Sequence, residues 1–210
     1  MMQPEPLQLA NGYYTLPRGK LVNVVTCLEM RARPRAEPVP LPPGYRLQPF
    51  TADRSELFRT LFAAVGSDLM WFSRLIMPEQ ELRAALSDPD IESFALMRDN
   101  EPVGLLELSF KERPDCELAF FGLKPSAVGT GLGKALMSEA TERAWSRPIE
   151  RFWVHTCNTD HPRAIAFYKA SGFAPHALMI EVHDDPRISG HLPPDASPQI
   201  ALLRPEPITR

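Results

Sequence analysis

Apolar side chains recur along this chain with the spacings of β-strands and of amphipathic helices. Runs rich in β-branched and other apolar residues predict strands at residues 21–31, 45–50, 91–98, 103–110, 117–123, 151–156 and 173–182. Helical spacing predicts helices at residues 53–66, 78–86 and 131–145, and a fourth that is capped by Asp160 or His161 and closed by Gly172. Strands and helices in this order predict a mixed sheet with helices on its faces.

Several element ends carry local signals. Asp53, followed three residues later by Glu56, is typical of a capping box at the start of the first helix. Pro78 suits the first turn of the second helix, where a missing N–H costs nothing. The pair Asp99-Asn100 predicts a hairpin between the third and fourth strands.

Proline is about twice as frequent as usual, with 23 among 210 residues. Much of the excess lies in the first 43 residues and from Pro186 onward, where it predicts extended connectors and chain ends. The chain therefore divides into an N-terminal extension with an added strand (1–43), a central domain (44–183) and a Pro-rich tail (184–210).

The overall composition is that of a folded soluble protein, with 44% hydrophobic and 23% charged residues. A formal net charge of −3 and the lack of a basic run argue against a nucleic-acid partner. No apolar run approaches the ~20 residues of a membrane helix, and no export signal is visible at the start. Cys27, Cys116 and Cys157 are widely spaced, which predicts reduced thiols. We expect a cytoplasmic protein without a membrane partner.

A glycine-rich loop between a strand and a helix is the most informative segment. Gly129, Gly131 and Gly133 follow the strand at residues 117–123 and open the helix at residues 131–145. Such a loop can turn successive backbone N–H groups toward one point, where the helix N-terminus adds partial positive charge, so it suits a phosphate group. Neither the Walker pattern nor the Rossmann pattern is present, which argues against ATP and NAD as the ligand.

Two blocks of residues together resemble the GNAT superfamily of N-acetyltransferases. Leu123–Met137 resembles the acetyl-CoA signature (Q/R)-x-x-G-x-(G/A), with Gly131 and Gly133 at the glycine places. Residues 161–173 resemble the family pattern N-x-x-A-x-x-x-Y-x-x-x-G-F. The resemblance covers roughly residues 44–183. It implies an α/β fold with a central, mostly antiparallel twisted sheet flanked by helices, here with an extra N-terminal strand.

The resemblance also implies an acyltransferase that takes acetyl-CoA as donor and an amine as acceptor. The residues expected to bind the donor are Phe121, Leu123, Val128, Gly129, Thr130, Gly131, Gly133, Lys134, Asn158, His161 and Tyr168. Two of them depart from the family pattern, because Val128 replaces a Gln or Arg and His161 replaces an Asn. Asn158 is an alternative source of the missing amide contact to the pantetheine arm.

Two residues are implied in the chemistry. Tyr168 matches the tyrosine that protonates the leaving thiolate, and Glu117 stands where histone-acetylating members place a glutamate base. Trp71, Phe72 and Arg74 fall in the loop that usually lines the acceptor site, although the two aromatic residues suit the core equally well. The histidines show no metal-ligand spacing, so no metal is expected.

The ends of the chain and the class of function leave alternatives. Only one strand is clear after the last helix, and residues 21–31 are expected to fill the missing place in the sheet, in their own chain or in a partner's, which leaves a homodimer open. The main hypothesis is an N-acetyltransferase acting on a small molecule or a protein amine. The alternatives are an acyl-CoA-binding module without catalysis and a scaffold that binds no CoA.

Overall fold

The computed structural model describes residues 8–206 as a seven-stranded sheet with helices on both faces. The strands are β1 (Lys20–Met30), β2 (Tyr45–Pro49), β3 (Ile91–Arg98), β4 (Glu101–Ser109), β5 (Asp115–Leu123), β6 (Arg151–Cys157) and β7 (Ala174–Asp184). The helices are α1 (Ser55–Gly66), α2 (Ser73–Ile76), α3 (Glu79–Leu86), α4 (Leu132–Trp145) and α5 (Ala164–Ala170). No helix in this part of the chain is both long and apolar enough to span a bilayer.

The strands follow the spatial order β2-β3-β4-β5-β6-β1-β7, and all neighbours are antiparallel except β5 and β6. The predicted fold class is therefore confirmed, and so is the place of the extra strand in the sheet. β1 lies between β6 and β7 of its own chain and pairs with both. Its apolar residues explain this position, because Leu28 is fully buried and Val25 is 4% exposed.

The parallel pair β5–β6 separates toward the carboxyl ends of its strands. Pairing covers only Asp115–Glu117 against residues 151–153, although both strands continue beyond those residues. β5 also has an irregular register with β4, between Glu107 and Leu108, as expected of a β-bulge. The two strands therefore open a cleft within the sheet, beyond Glu117.

Two apolar clusters hold the helices to the two faces of the sheet. Helices α4 and α5 cover one face through residues such as Leu136 and Tyr168, which pack with Phe152 of β6. Helices α1 and α3 cover the other face through Phe58, Phe62 and Leu82, all of them fully buried. The cleft between β5 and β6 therefore connects two independently packed faces.

Two predicted helix starts are wrong. Residues 52–54 form a 3₁₀ turn and α1 begins at Ser55 without a side-chain cap, while the Asp53 carboxylate bonds with Thr51 instead. Helix α5 begins only at Ala164 and also has no side-chain cap. Asp160 does not cap it, because its carboxylate accepts hydrogen bonds from the Thr156 hydroxyl and the Cys157 N–H in β6. In both places the carboxylate bonds to hydroxyl or backbone groups two to four residues earlier in the chain instead of capping the helix.

The segment after β7 folds against the face that carries α1, instead of forming the extended tail that its prolines predict. Leu192 and Ala196 are buried with Leu21 of β1 and Met70 of the loop after α1. Asp185 and Arg187 form a two-pronged ion pair at 3.0 and 2.7 Å, with side chains 3% and 1% exposed. The same guanidinium donates to the carbonyls of residues 196 and 200, so one buried cation organises the whole segment.

Replacing Arg187 with methionine is expected to lower the free energy of unfolding by about 3–5 kcal/mol, because the Asp185 carboxylate would stay buried without its partner. Urea unfolding followed by circular dichroism measures the change. The control is Lys20→Met, which removes the exposed Lys20–Asp184 ion pair and is expected to change little. A loss below about 1 kcal/mol in the Arg187 variant would contradict the structural role of the pair.

Candidate active site

A cavity of about 230 Å³ occupies the cleft between the separated ends of β5 and β6. Leu118–Phe121 of β5 and Val154–Cys157 of β6 form two of its walls. The loop at residues 69–73 closes it on the α1 face, and Tyr168 of α5 lines it on the opposite face. A group that enters along one face of the sheet can therefore meet a group that enters from the other.

The glycine-rich loop lies at the start of α4 and presents free backbone donors. Gly129 and Gly131 have φ angles of +83° and +84°, which glycine adopts without the strain that other residues incur. Within residues 8–206, none of the backbone hydrogen bonds uses the N–H of Gly129, Thr130, Gly131, Leu132 or Gly133. A Cβ at Gly129 or Gly131 would meet no atom within 4 Å, so the space in front of these donors is open. This arrangement suits an anionic group.

Other predicted residues of this loop are already engaged in local contacts. The N–H of Val128 donates to Pro125 at 3.3 Å, and that of Lys134 donates to Gly131 at 3.1 Å. The Thr130 hydroxyl donates to the Ala127 carbonyl at 2.8 Å, which leaves its lone pairs free. The Val128 side chain is 46% exposed and offers no polar contact.

Beyond Glu117, the edge of β5 that faces the cleft pairs with no strand among the described residues. The N–H of Lys124 bonds to Val103 on the β4 side, and successive residues of a strand direct their N–H groups to opposite edges. The backbone N–H of Leu123 therefore points to the open edge, and by the same alternation so does that of Phe121. The Phe121 ring also stacks on Phe167 of α5 at 5.6 Å.

Asn158 and His161, the two alternatives for the amide contact, both lie in the exposed loop between β6 and α5. The side-chain oxygen of Asn158 accepts a hydrogen bond of 2.7 Å from the Val24 N–H of β1. The Nδ1 atom of His161 accepts one of 3.1 Å from the Arg163 N–H. Asn158 thus ties the added strand to the loop, and His161 lines the cavity.

Tyr168 is 8% exposed and is held by a cluster of aromatic rings. Its ring lies 5.7–6.4 Å from those of Phe121, Phe167 and Phe173. Burial, reinforced by the negative charge of Asp160, raises the pKa of the Tyr168 hydroxyl well above its usual value. Within the described range, no side-chain hydrogen bond uses this hydroxyl. It is therefore a protonated donor without a protein partner at the cavity.

Glu117 lies at the last paired position of β5, beside His155 of β6. The His155 Nδ1 atom is 3.4 Å from the Glu117 carboxylate. This contact raises the pKa of His155 above its ordinary value, against the opposite effect of burial. The pair lies on the α1 face of the sheet, where His155 lines the cavity. No sequence pattern assigned a role to His155, although its place between the buried Val154 and Thr156 predicts that its side chain points to the other face of the sheet.

Trp71, Phe72 and Arg74 all lie near the cavity, but in different surroundings. The Trp71 indole packs on Phe62 and donates its N–H to Asp160 at 3.0 Å, so it is both core and cavity wall. Gly66 permits this packing, because a Cβ there would lie 2.5 Å from the Trp71 side chain. The Phe72 ring lies 5.1 Å from that of His183.

Arg74 faces a neighbouring groove instead of the cavity itself. Its guanidinium pairs with Glu107, which is 1% exposed and also accepts 2.6 Å from the Ser93 hydroxyl. The same groove reaches Glu117, and it shares Ala119 of β5 with the cavity. Nowhere in residues 8–206 do three or more His, Cys, Asp or Glu side chains come together as metal ligands would.

Comparison with known proteins places this geometry in a family. The sequence model of the Acetyltransferase (GNAT) family matches residues 55–173, more than half of the chain. The chain belongs to this family. The family is named for acetyltransferases, which are a class of acyltransferase.

One curated relative and two solved GNAT-type structures illustrate the similarity. A mycothiol acetyltransferase from Beutenbergia cavernae is 28% identical over 144 residues, which cover 66% of this chain and 48% of that protein. The chain thus spans about half the length of this relative. A putative GNAT acetyltransferase from Novosphingobium aromaticivorans superposes with a TM-score of 0.56 at 16% identity, over 85% of this chain and 69% of the other.

An aminoglycoside acetyltransferase from an uncultured soil metagenomic sample superposes with a TM-score of 0.53 at 20% identity, over 64% of this chain and 95% of the other. At these identities the structural likeness concerns the fold alone. Within the GNAT family, the matched segment runs from α1 to the end of α5 and so includes the glycine-rich loop, Glu117 and Tyr168.

Proposed function

We propose that this protein transfers an acetyl group from acetyl-CoA directly to a primary amine of a small molecule or a protein. The observation that carries the proposal is the cavity between β5 and β6. It joins a tyrosine hydroxyl on the α5 face to a histidine–glutamate pair on the α1 face. Such a passage suits a donor and an acceptor that approach from opposite faces of the sheet.

The donor fits the α4–α5 face. The free N–H groups at residues 129–133, together with the N-terminus of α4, suit the pyrophosphate of CoA. The open edge of β5 suits the pantetheine arm, which would pair with Phe121 and Leu123 as an added strand does. Gly131 and Gly133 act through their backbone, so the loss of a Gln or Arg side chain at Val128 leaves the main contacts in place.

Direct transfer follows from the groups at the cavity. The acceptor nitrogen attacks the thioester carbon and its electron pair forms the new C–N bond. The carbonyl oxygen becomes negative and is stabilised by the Leu123 N–H at the open edge of β5. When the carbon–sulfur bond breaks, the thiolate takes a proton from the Tyr168 hydroxyl. The resulting tyrosinate regains a proton from solvent, which the raised pKa of this buried hydroxyl favours.

The proton of the attacking amine goes to the pair formed by Glu117 and His155. The Glu117 carboxylate faces Nδ1 of His155, which fixes the proton on that atom and leaves Nε2 as the basic nitrogen. Glu117 thus orients the His155 ring and raises its pKa, and His155 accepts the proton. A histidine whose pKa is raised is a stronger base near neutral pH.

The cysteines favour direct transfer over an acyl-cysteine intermediate. Burial raises the pKa values of Cys27, Cys116 and Cys157, so the thiols stay protonated and are weak nucleophiles. Of the three, Cys157 lines the cavity, where its sulfur lies 2.9 Å from the Thr159 hydroxyl.

The direct test is to incubate the purified protein with acetyl-CoA and a panel of primary amines, and to identify acetylated products by mass spectrometry. Acetylated amine together with released CoA would support the proposal. Binding of acetyl-CoA without any product would favour the acyl-CoA-binding module. No binding to the folded protein would favour the scaffold.

Replacing Glu117 with glutamine is expected to move the acid limb of the kcat/KM profile to lower pH. The neutral His155 is the active form, so the rate falls as pH drops through its pKa. Removing the carboxylate lowers that raised pKa toward its ordinary value, and the limb follows it downward. The profile is measured from pH 5 to 9 with one acceptor for both proteins, so that the ionisation of the acceptor cancels in the ratio.

The matched variant for this measurement is His155→Gln, which is expected to remove the limb and lower the plateau rate by about 10²-fold. A limb that stays in place in the Glu117 variant would exclude His155 as the ionising group. Loss of the rate at every pH in the Glu117→Gln protein would indicate that Glu117 itself takes the proton.

A further inference from the structure

A cluster of three polar side chains lies along the cavity wall that β1 and β7 provide. Asn23 of the added strand faces Glu181 of β7 in the register of the sheet, and His183 lies two residues further along. All three line the cavity on the α1 face. The chemistry described above uses none of them.

The hydrogen bonds of the cluster leave one acceptor atom, the Asn23 side-chain oxygen, without a partner among the described residues. The His183 Nδ1 atom lies 2.8 Å from the Asp184 carbonyl, which fixes its proton there and makes Nε2 an acceptor. The Asn23 amide nitrogen then donates both hydrogens, to Glu181 at 3.0 Å and to His183 Nε2 at 3.3 Å. The Asn23 oxygen is buried and has no partner among the described residues, although the side chain is only 4% exposed. An orphaned acceptor of this kind is costly unless a ligand supplies a donor.

The charge of the cluster indicates which class of hydrogen-bond donor a ligand would bring to the Asn23 oxygen. Glu181 is exposed, and no cationic side chain within residues 8–206 lies within ion-pair distance of its carboxylate. His183 presents Nε2 as an acceptor in the arrangement just described, so the Glu181 carboxylate is the charged group of the cluster. The other carboxylate lining the cavity, Asp160, adds a second. The Phe72 ring packs against His183 and adds an aromatic face, which favours a cation further.

The distance between the cluster and His155 determines how long a ligand must be to contact both. Cys27 lies opposite His155 in the register of β1 and β6, and Asn23 is four residues further along β1. At about 3.3 Å per residue, the cluster lies about 13 Å along the strand from the base. A molecule whose amine reacts at His155 therefore reaches Asn23 only with a remote group.

We propose that Asn23, Glu181 and His183 form a subsite that binds a second, cationic ammonium group of the acceptor, remote from the amine that is acetylated. The inference rests on the proposed acetyltransferase function and deepens it, because it assigns the acceptor to the class of extended polyamines or amino-substituted small molecules. It also assigns a role in recognition to the added strand, since Asn23 is part of β1.

The test compares acceptors of matched length that differ only in the group at the end remote from the reacting amine. The probes are α,ω-diamines of 6 to 12 methylene groups, the n-alkylamines of matched length and the matched amino alcohols, each assayed with acetyl-CoA. In the wild-type protein, kcat/KM for the long diamines is expected to exceed that for the alkylamines by about 10- to 100-fold. Asn23→Leu and Glu181→Gln are each expected to remove most of this advantage without lowering kcat/KM for the alkylamines.

The control is Asp184→Asn, which removes one negative charge from the same strand but from the opposite face of the sheet. It is expected to keep the preference for diamines, and thermal unfolding of all variants confirms that they are folded. Acetylation of alkylamines with no gain for diamines, or a gain that survives in both cluster variants, would overturn the subsite. An equal gain for amino alcohols would overturn the assignment of a cation. Failure to acetylate any amine would instead count against the proposed function itself.

Discussion

Replacing Tyr168 with phenylalanine is expected to lower kcat by about 10²- to 10³-fold, and to leave the affinity for acetyl-CoA within about twofold. The hydroxyl is a protonated donor at the cavity that no group of residues 8–206 engages, and its loss is expected to leave the departing thiolate without a proton. The ring keeps its contacts with Phe121, Phe167 and Phe173, so the fold of α5 should not change.

Steady-state kinetics with a saturating amine gives kcat, and calorimetric titration gives the affinity for acetyl-CoA. Tyr45→Phe is the matched control, because Tyr45 lies on β2, outside the residues that line the cavity, and its ring also packs against the core of the same face. A fall in kcat of less than about threefold in the Tyr168 variant would exclude the hydroxyl as the proton donor. A parallel loss of affinity would indicate that the ring mainly shapes the donor site.

Replacing Gly131 with aspartate is expected to weaken acetyl-CoA binding by about 100-fold or more. The new carboxylate would lie beside the free N–H groups where the pyrophosphate is expected, and like charges a few Å apart cost several kcal/mol at the effective dielectric of a protein surface. The open space around the Gly131 Cβ position means that the effect comes from charge rather than from a clash.

Gly131→Asn separates charge from backbone strain. Asparagine has the same shape as aspartate and tolerates a positive φ, so its loss of affinity is expected to stay below about tenfold. Gly190→Asp adds the same charge at another position of positive φ, outside the cavity, and is expected to bind normally. Equal losses in the two Gly131 variants would assign the effect to loop geometry, and no loss in either would move the phosphate site elsewhere.

The glycine-rich loop and Tyr168 were predictable because their chemistry is local in sequence. A loop that must direct several N–H groups to one point needs glycine at positions of positive φ, and Gly129 and Gly131 have such φ angles. Tyr168 and Gly172 lie on one short helix and its end, where spacing along the chain fixes spacing in space. The assignment of Tyr168 as proton donor stays a prediction until it is tested.

The partner of Glu117 was not predictable from spacing, because it lies 38 residues away on another strand. Only the parallel pairing of β5 and β6 brings His155 beside that carboxylate. The contacts of Asn23 were not predictable for the same reason, because an asparagine within an apolar strand gives no indication of the residues that face it in the sheet. The helix-cap predictions at Asp53 and Asp160 were wrong because nearby hydroxyl and backbone groups took up both carboxylates.

By itself, the sequence determined the strands, the main helices and the glycine-rich loop, because periodicity and glycine conformation are properties of neighbouring residues. The tertiary structure alone decided which strands separate, that β1 pairs within its own chain and how the segment after β7 folds onto Met70 and Leu21. Those outcomes depend on contacts between residues far apart in the chain, whose free energy no local pattern records. The α1 side of the cavity is built almost entirely from such contacts.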